Sequence, residues 1–249
     1  MNQSILHEVS KVMLPIQQQL RSYGSAEKVL VFQRFFKTGP GQYGEGDEFI
    51  GVTVPLTRKA VQNHAVAMTY DEVIELLHSP VHEDRLAAVL VLVAKYQKAD
   101  VGEKSKIYDL YLGNTEYINN WDLIDSSAEH IVGAFLTDKP KVILRTLAQS
   151  ESVWERRISI LSTFHWIKQG KAEETISIAT LLLGDTHDLI HKAVGWMLRE
   201  VGKRCSEQVL TDFLDTYAAT MPRTMLRYAI ERLGERERKR YMGMKKHSF

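Results

Sequence analysis

Trp121 and Asp125 open and close the segment WDLID, so on a helix beginning near Asn120 their side chains leave one face a single turn apart. Ile124, Ala128, Ile131 and Phe135 supply the apolar stripe of that helix, which leaves Trp121 and Asp125 on its flank beside Glu129. A carboxylate next to an electron-rich ring can stabilise positive charge as it develops. The same spacing also describes an ordinary helix start with a stray indole and a capping acid, a role that suits Asp122.

Two further groups carry charge where a helix would place it usefully. In VWERR, Arg157 shares a face with Val153, Leu161 and Phe164, inside an otherwise apolar stripe, whereas Arg156 lies with Ser152 and Thr163 on a more polar side. A buried arginine requires an anionic partner, and either an internal carboxylate or a phosphate would serve. In HKAVGWMLRE and the residues after it, Lys192, Trp196, Arg199 and Lys203 form one helical stripe, three cations around an aromatic ring. That stripe suits a sugar-phosphate backbone, and it equally describes a solvated basic face whose indole rests on a neighbouring helix. Arg223 and Arg227 add two cations one turn apart.

Several other chemistries lack their residues. The histidines show no HExxH or comparable metal spacing, and neither a GxSxG nor a Cys-His pairing is present, which argues against a metalloenzyme or a triad hydrolase. Cys205 is the one cysteine, so it forms no intramolecular disulfide and no cysteine zinc site, and it reads as an ordinary helix residue. The glycine-rich stretch Gly39 to Gly51 lacks the GKS/T ending and the preceding strand of a phosphate loop, and reads as a tight path between helices.

The elements that must position these groups are helical almost throughout. Helices are expected at about Gln3 to Tyr23, Ala26 to Lys37, a start at Val54-Pro55, Tyr70 to His78, His82 to Lys98, Gly102 to Leu112, Trp121 to Leu136 and Lys141 to Ala148. Further helices follow at about Val153 to Gln169, Ala172 to Leu183, Leu189 to Lys203, Glu207 to Ala219, Arg223 to Leu233 and Glu235 to Met242. Ser79-Pro80, Lys139-Pro140, Gly170, Gly184-Asp185 and Met221-Pro222 punctuate them. Helix pairs recurring every roughly 35 to 45 residues indicate an all-α, HEAT-like solenoid spanning 1–249 as a single domain.

Composition sets the outer bounds. With 44% hydrophobic and 25% charged residues the chain is of ordinary globular type. Its longest apolar stretch, Leu86 to Ala94, is about half of a membrane span, and no basic-then-apolar leader opens the sequence, so a cytoplasmic protein without a membrane partner is expected, acting as a monomer. The net charge of +1 hides an asymmetry: from Ile190 onward thirteen Lys and Arg face seven Asp and Glu, while the rest of the chain holds nineteen against twenty-four. The C-terminal quarter therefore offers a surface to an anionic partner.

Taken together, WDLID, VWERR and HKAVGWMLRE resemble the AlkD-type DNA alkylation repair proteins, as do GQYGEGDEFIGV at Gly41 to Val52 and PRTMLRYAIE at Pro222 to Glu231. The five motifs follow the family's order over nearly the whole chain. The resemblance implies a curved HEAT-like solenoid that holds duplex DNA on a basic concave face and excises positively charged N3- and N7-alkylated purines without a cofactor and without flipping the base. It implies that Asp125 is the catalytic aspartate, that Trp121 and Trp196 contact the lesion-bearing nucleotide, and that Arg157 and Arg58 meet the DNA backbone. Lys192, Arg199, Lys203, Arg223 and Arg227 would then supply further phosphate contacts.

The implied chemistry suits these residue types. An N-alkylated purine is already cationic and leaves readily, so the demand falls on the oxocarbenium-like sugar, which an ionised Asp125 and the two indoles can stabilise. The chain departs from the family pattern just before HKAVGW, where Asp188 and Leu189 stand in place of paired aromatic residues. Two rival readings are a non-catalytic paralogue that binds branched or distorted DNA and a protein-interaction scaffold. The joint presence of Trp121, Asp125, Arg157 and Trp196 favours the enzyme over the first, and the cationic stripe disfavours the second.

Overall fold

The computed structural model describes residues 13–244. All regular structure among them is helical, apart from an isolated bridge between Glu48 and Val81, in agreement with the expected all-α class. The chain divides into two compact units, Met1–Val91 and Leu92–Phe249. Among the described residues no helix is long and apolar enough to cross a membrane.

The first unit contains α1 (Pro15–Ser22), α2 (Ala26–Phe35), α3 (Val54–His64), α4 (Tyr70–Leu77) and the start of α5 (His82–Lys98). Residues 3–12 of the expected first helix lie outside the described residues. Proline opens α1, where the missing donor costs no hydrogen bond, and a Thr69–Glu72 capping box opens α4. α1 packs on α3, with Ile16 and Leu20 of the one and Thr57, Ala60 and Val61 of the other buried.

Four consecutive charged or titratable residues, His82 to Arg85, are buried at the start of α5. Glu83 accepts the backbone N–H groups of Ile50, Gly51 and Val52 at 2.8–3.2 Å, so the glycine-rich stretch closes on an internal carboxylate. Gly51 is required there: its φ is +78°, and a Cβ would stand 2.1 Å from the Ser25 carbonyl oxygen. Asp84 accepts from Arg21, Gln17 and Ser79, and Arg85 holds Asp47 at 2.5 Å.

In the second unit, α6 (Val101–Leu112) and a 3-10 turn (Thr115–Tyr117) lead to α7 (Trp121–Asp125), a π-helix (Glu129–Gly133), α8 (Val142–Ala148), α9 (Val153–Ser162) and α10 (Phe164–Ile167). The remaining helices are α11 (Glu173–Leu181), α12 (Asp188–Arg204), α13 (Glu207–Tyr217), α14 (Arg223–Ala229) and α15 (Glu235–Gly243). α9 packs on α8 and α12, α11 on α8 and α12, and α12 on α13 and α14, the nearest-neighbour stacking of an α-solenoid.

Two expected helices are broken. The helix expected over Trp121 to Leu136 is a five-residue α-helix and a π-helix separated by a turn at Ser126-Ser127, where Ser127 Oγ donates to the Leu123 carbonyl at 2.6 Å and meets the buried Tyr111 hydroxyl at 2.8 Å. Gly133 lets the π-helix lie against α9: a Cβ would sit 2.3 Å from the Ser162 carbonyl oxygen. The helix expected over Val153 to Gln169 bends at Ser162-Thr163, whose hydroxyls both return to backbone carbonyls, at 2.6 and 2.7 Å.

Candidate functional site

Asn120 caps α7 through its side-chain oxygen, which accepts the Trp121 N–H at 2.9 Å. The cap is therefore Asn120 rather than Asp122, which is buried in the first turn with Leu123 and Ile124. Burying that side of so short a helix leaves Trp121 and Asp125 together on its half-buried flank, as their spacing requires.

The anionic partner that Arg157 requires is Asp125. Arg157 Nε and Nη2 donate to the two carboxylate oxygens, each at 2.8 Å, in a bidentate fork across α7 and α9. The arginine side chain is 6% exposed and the aspartate 17%, so the cation is enclosed and the aspartate is the more accessible of the two. Arg157 Nη1 donates to the Leu189 carbonyl at 2.6 Å, which ties the fork to the start of α12. The backbone contact that the resemblance implies for Arg157 would have to be made by a side chain that already serves a carboxylate and a carbonyl.

Burial pushes the Asp125 carboxyl above its ordinary range; the Arg157 guanidinium pulls it back, and the neighbouring Asp122 adds to the rise. Tyr111, fully buried near the same carboxylate, is likewise pushed up, chiefly by burial.

Arg156 reinforces the same joint from the other side of α9. Its Nε donates to Asp185 at 2.7 Å, and Asp185 accepts the His187 N–H at 2.7 Å. His187 caps α12 by accepting the Leu189 N–H at 3.2 Å. Sequence reading assigned Arg156 only to a polar side; the signal for its role was its adjacency to Arg157 and the Gly184-Asp185 turn that must deliver α12.

α12 carries the other expected residues. Leu189, Ile190, Ala193, Val194, Met197, Leu198 and Val201 are buried, so Lys192, Trp196, Arg199 and Lys203 share the opposite face. Gly195 permits the close approach of α14: a Cβ would meet the Met225 carbonyl oxygen at 2.4 Å and Tyr228 Cβ at 2.5 Å. Trp196 is half-buried, its ring 5.9 Å from that of Phe164.

The cations of this face are mostly engaged within the protein. Lys192 Nζ lies 2.7 Å from Asp188, and Arg199 bonds Glu231 and stands 3.6 Å from Glu200. On α14, Arg223 donates to the Met242 carbonyl at 2.5 Å and Arg227 to Thr224 Oγ1 at 3.3 Å. Lys203 is exposed. Arg58 is exposed on α3, in the first unit.

Packing thus brings Trp121, Asp125, Arg157 and Trp196 onto three successively packed helices, α7, α9 and α12. A groove of about 230 Å³ elsewhere in the second unit, lined by Tyr96, Lys104, Phe135 and Lys139 among others, shares no residue with them. Among the described residues no group of three or more His, Cys, Asp or Glu side chains is arranged to hold a metal ion.

No curated protein matches the sequence. A solved structure described as a predicted DNA alkylation repair enzyme from Enterococcus faecalis shares the fold, with a TM-score of 0.67 at 14% identity over 85% of this chain and 97% of that one. Residues 16–233 match the family model described as DNA alkylation repair enzyme, and the chain belongs to that family.

Proposed function

We propose that the protein is a DNA glycosylase that hydrolyses the N-glycosidic bond of N3- and N7-alkylated purines in duplex DNA. The observation that carries this reading is the Asp125 carboxylate, fixed by the Arg157 fork yet 17% exposed and one helical turn from Trp121. Alkylation places a formal positive charge on the purine, so the base departs with the electron pair of the C1′–N9 bond and needs no acid from the protein. Positive charge then develops on the deoxyribose. A carboxylate held in place before the reaction stabilises that charge without having to reorganise, which is where such groups gain most.

Asp125 in this role also orients the water that adds to C1′, and its oxygens can take up the proton that water gives up. Arg157 acts through Asp125: with two of its nitrogens on the carboxylate and a third on Leu189, it holds one rotamer of the acid. Trp121 and Trp196 offer π faces to the cationic sugar. Recognition through the sugar and backbone leaves the base in the stack and tolerates varied adducts.

The test is release of N7-methylguanine from alkylated duplex DNA by the purified protein in chelator-containing buffer. The wild type releases the base; Asp125→Asn abolishes release while largely preserving duplex binding. Binding without any release by the wild type would instead favour a non-catalytic DNA-binding protein, and salt-insensitive or absent duplex binding would favour a scaffold.

A further inference from the structure

The α12 face was expected to present bare cations to DNA, but carboxylates occupy two of them. Lys192 and Arg199 flank Trp196, four residues before it and three after it on the helix. Asp188 holds Lys192 at 2.7 Å, and its carboxyl lies below the usual range, chiefly through that hydrogen bond, with Thr224 on α14 also bonding it. Glu231 holds Arg199, and Glu200 both approaches Arg199 and bonds Arg204 at 2.7 Å. Asp188 and Glu231 are 54% and 50% exposed, so both are within reach of solvent and of a ligand. By contrast Lys203 is exposed and forms no ion pair among the described residues, although Glu200 stands within electrostatic reach, and Arg223 and Arg227 meet only uncharged groups, the Met242 carbonyl and Sδ and Thr224 Oγ1.

We propose that Asp188 and Glu231 are built-in competitors for the DNA backbone, so that Lys192 and Arg199 reach phosphate only by giving up a carboxylate. The proposal rests on the DNA-binding part of the reading above and does not require the glycosylase step. Its physical content concerns counterions. A bare cation that neutralises a phosphate releases the ion condensed there, whereas a cation surrendered by a carboxylate leaves a new anion that recruits one back. Masked cations therefore add little to the salt dependence of binding. The carboxylates weaken attachment to undamaged DNA, and Lys203, Arg223 and Arg227 carry the greater part of the electrostatic contact.

The experiment measures binding of a short undamaged duplex by fluorescence anisotropy between about 50 and 200 mM KCl. Asp188→Asn and Glu231→Gln are each expected to steepen the slope of log K against log salt by up to about 0.9, the value for one additional phosphate contact. Affinity at low salt should rise up to about fivefold, the scale of an exposed ion pair. Lys192→Gln should change the wild-type slope little, and should cancel the gain when added to Asp188→Asn. Glu235→Gln is the control, because Glu235 holds Lys239 at 2.6 Å in an exposed pair on α15; it should leave the slope unchanged.

Unchanged slopes in Asp188→Asn and Glu231→Gln would overturn the proposal, as would a full-unit flattening by Lys192→Gln in the wild type. So would equal steepening by Glu235→Gln, which would reduce the effect to net charge. Base release by the wild type together with unchanged slopes removes the masking alone. Steepened slopes without base release remove the glycosylase reading alone, and failure of every variant to bind duplex removes both.

Discussion

Removing Arg157 should cost far more than removing an ordinary surface cation. The Asp125–Arg157 fork has two 2.8 Å bonds between side chains only 17% and 6% exposed. Breaking a buried pair by deleting one partner costs about 3–5 kcal/mol, since the other charge stays behind without compensation. The 17% exposure of Asp125 allows some rehydration and moves Arg157→Met toward the lower end, while the lost bond to the Leu189 carbonyl adds about 0.5–1.5 kcal/mol to the cost. At about 2–4 °C per kcal/mol for a chain of this size, the melting temperature should fall by about 6–20 °C. Asp125→Leu should cost a similar amount by stranding the guanidinium. The double variant should recover to within about 2 kcal/mol of the wild type, because exchanging a whole buried ion pair for apolar side chains of similar volume removes the desolvation cost together with the attraction. The assay is a double-mutant cycle followed by tryptophan fluorescence, which reports the second unit alone since Trp121, Trp154, Trp166 and Trp196 all lie in it. A coupling above about 3 kcal/mol is expected; costs that add to within about 0.5 kcal/mol would refute the argument.

The rise in the Asp125 carboxyl also fixes the sign of two pH effects. In the proposed reaction base release requires the carboxylate, so its rate should fall as pH drops, with a midpoint above the ordinary value of about 3.9; a midpoint at or below that value would contradict the burial argument. The stability contribution runs the other way: the folded carboxyl binds its proton more tightly than the unfolded one, so its share is fully present below the unfolded value and is lost as pH rises through the folded one, a dependence that Asp125→Asn should delete from a melting-temperature profile. Gly195→Ala should destabilise the second unit by about 1–3 kcal/mol in chemical denaturation, because backbone and Cβ atoms of α14 occupy the space a methyl group needs. Glu83→Ala should strip the acceptor from the amides of Ile50, Gly51 and Val52, costing about 1–3 kcal/mol or more, and hydrogen exchange at those amides should accelerate selectively.

Helices with one apolar stripe were legible because periodicity is a local signal: α12 and the flank of α7 lie where residue spacing places them. What escaped depends on groups far apart in sequence or on a side chain's choice between two acceptors. The π-helix and the bend at Ser162-Thr163 follow from hydroxyls bonding carbonyls within their own helices, an option open to every serine and threonine but taken here because the chain packs closely at Gly133 and Tyr111. Nothing local marks the quartet His82 to Arg85, at the start of an expected helix, for burial; a glycine-rich segment folding its N–H groups onto Glu83 makes burial tolerable there.

Arg157 shows both the reach and the limit of residue types as evidence. An arginine in an apolar stripe had to meet an anion, but nothing local distinguished a carboxylate from a phosphate, and the partner stands 32 residues away. The answer changes the meaning of both residues. Arginine and aspartate in so dry a pair are costly to desolvate, and an apolar pair of similar volume would serve the fold as well or better. Stability therefore does not explain this arrangement. The proposed glycosylase reaction accounts for it: a carboxylate held in one orientation, partly exposed one helical turn from an indole, meets a cation that forms only transiently, and that requirement favours a preorganised Asp125 over a more stable core.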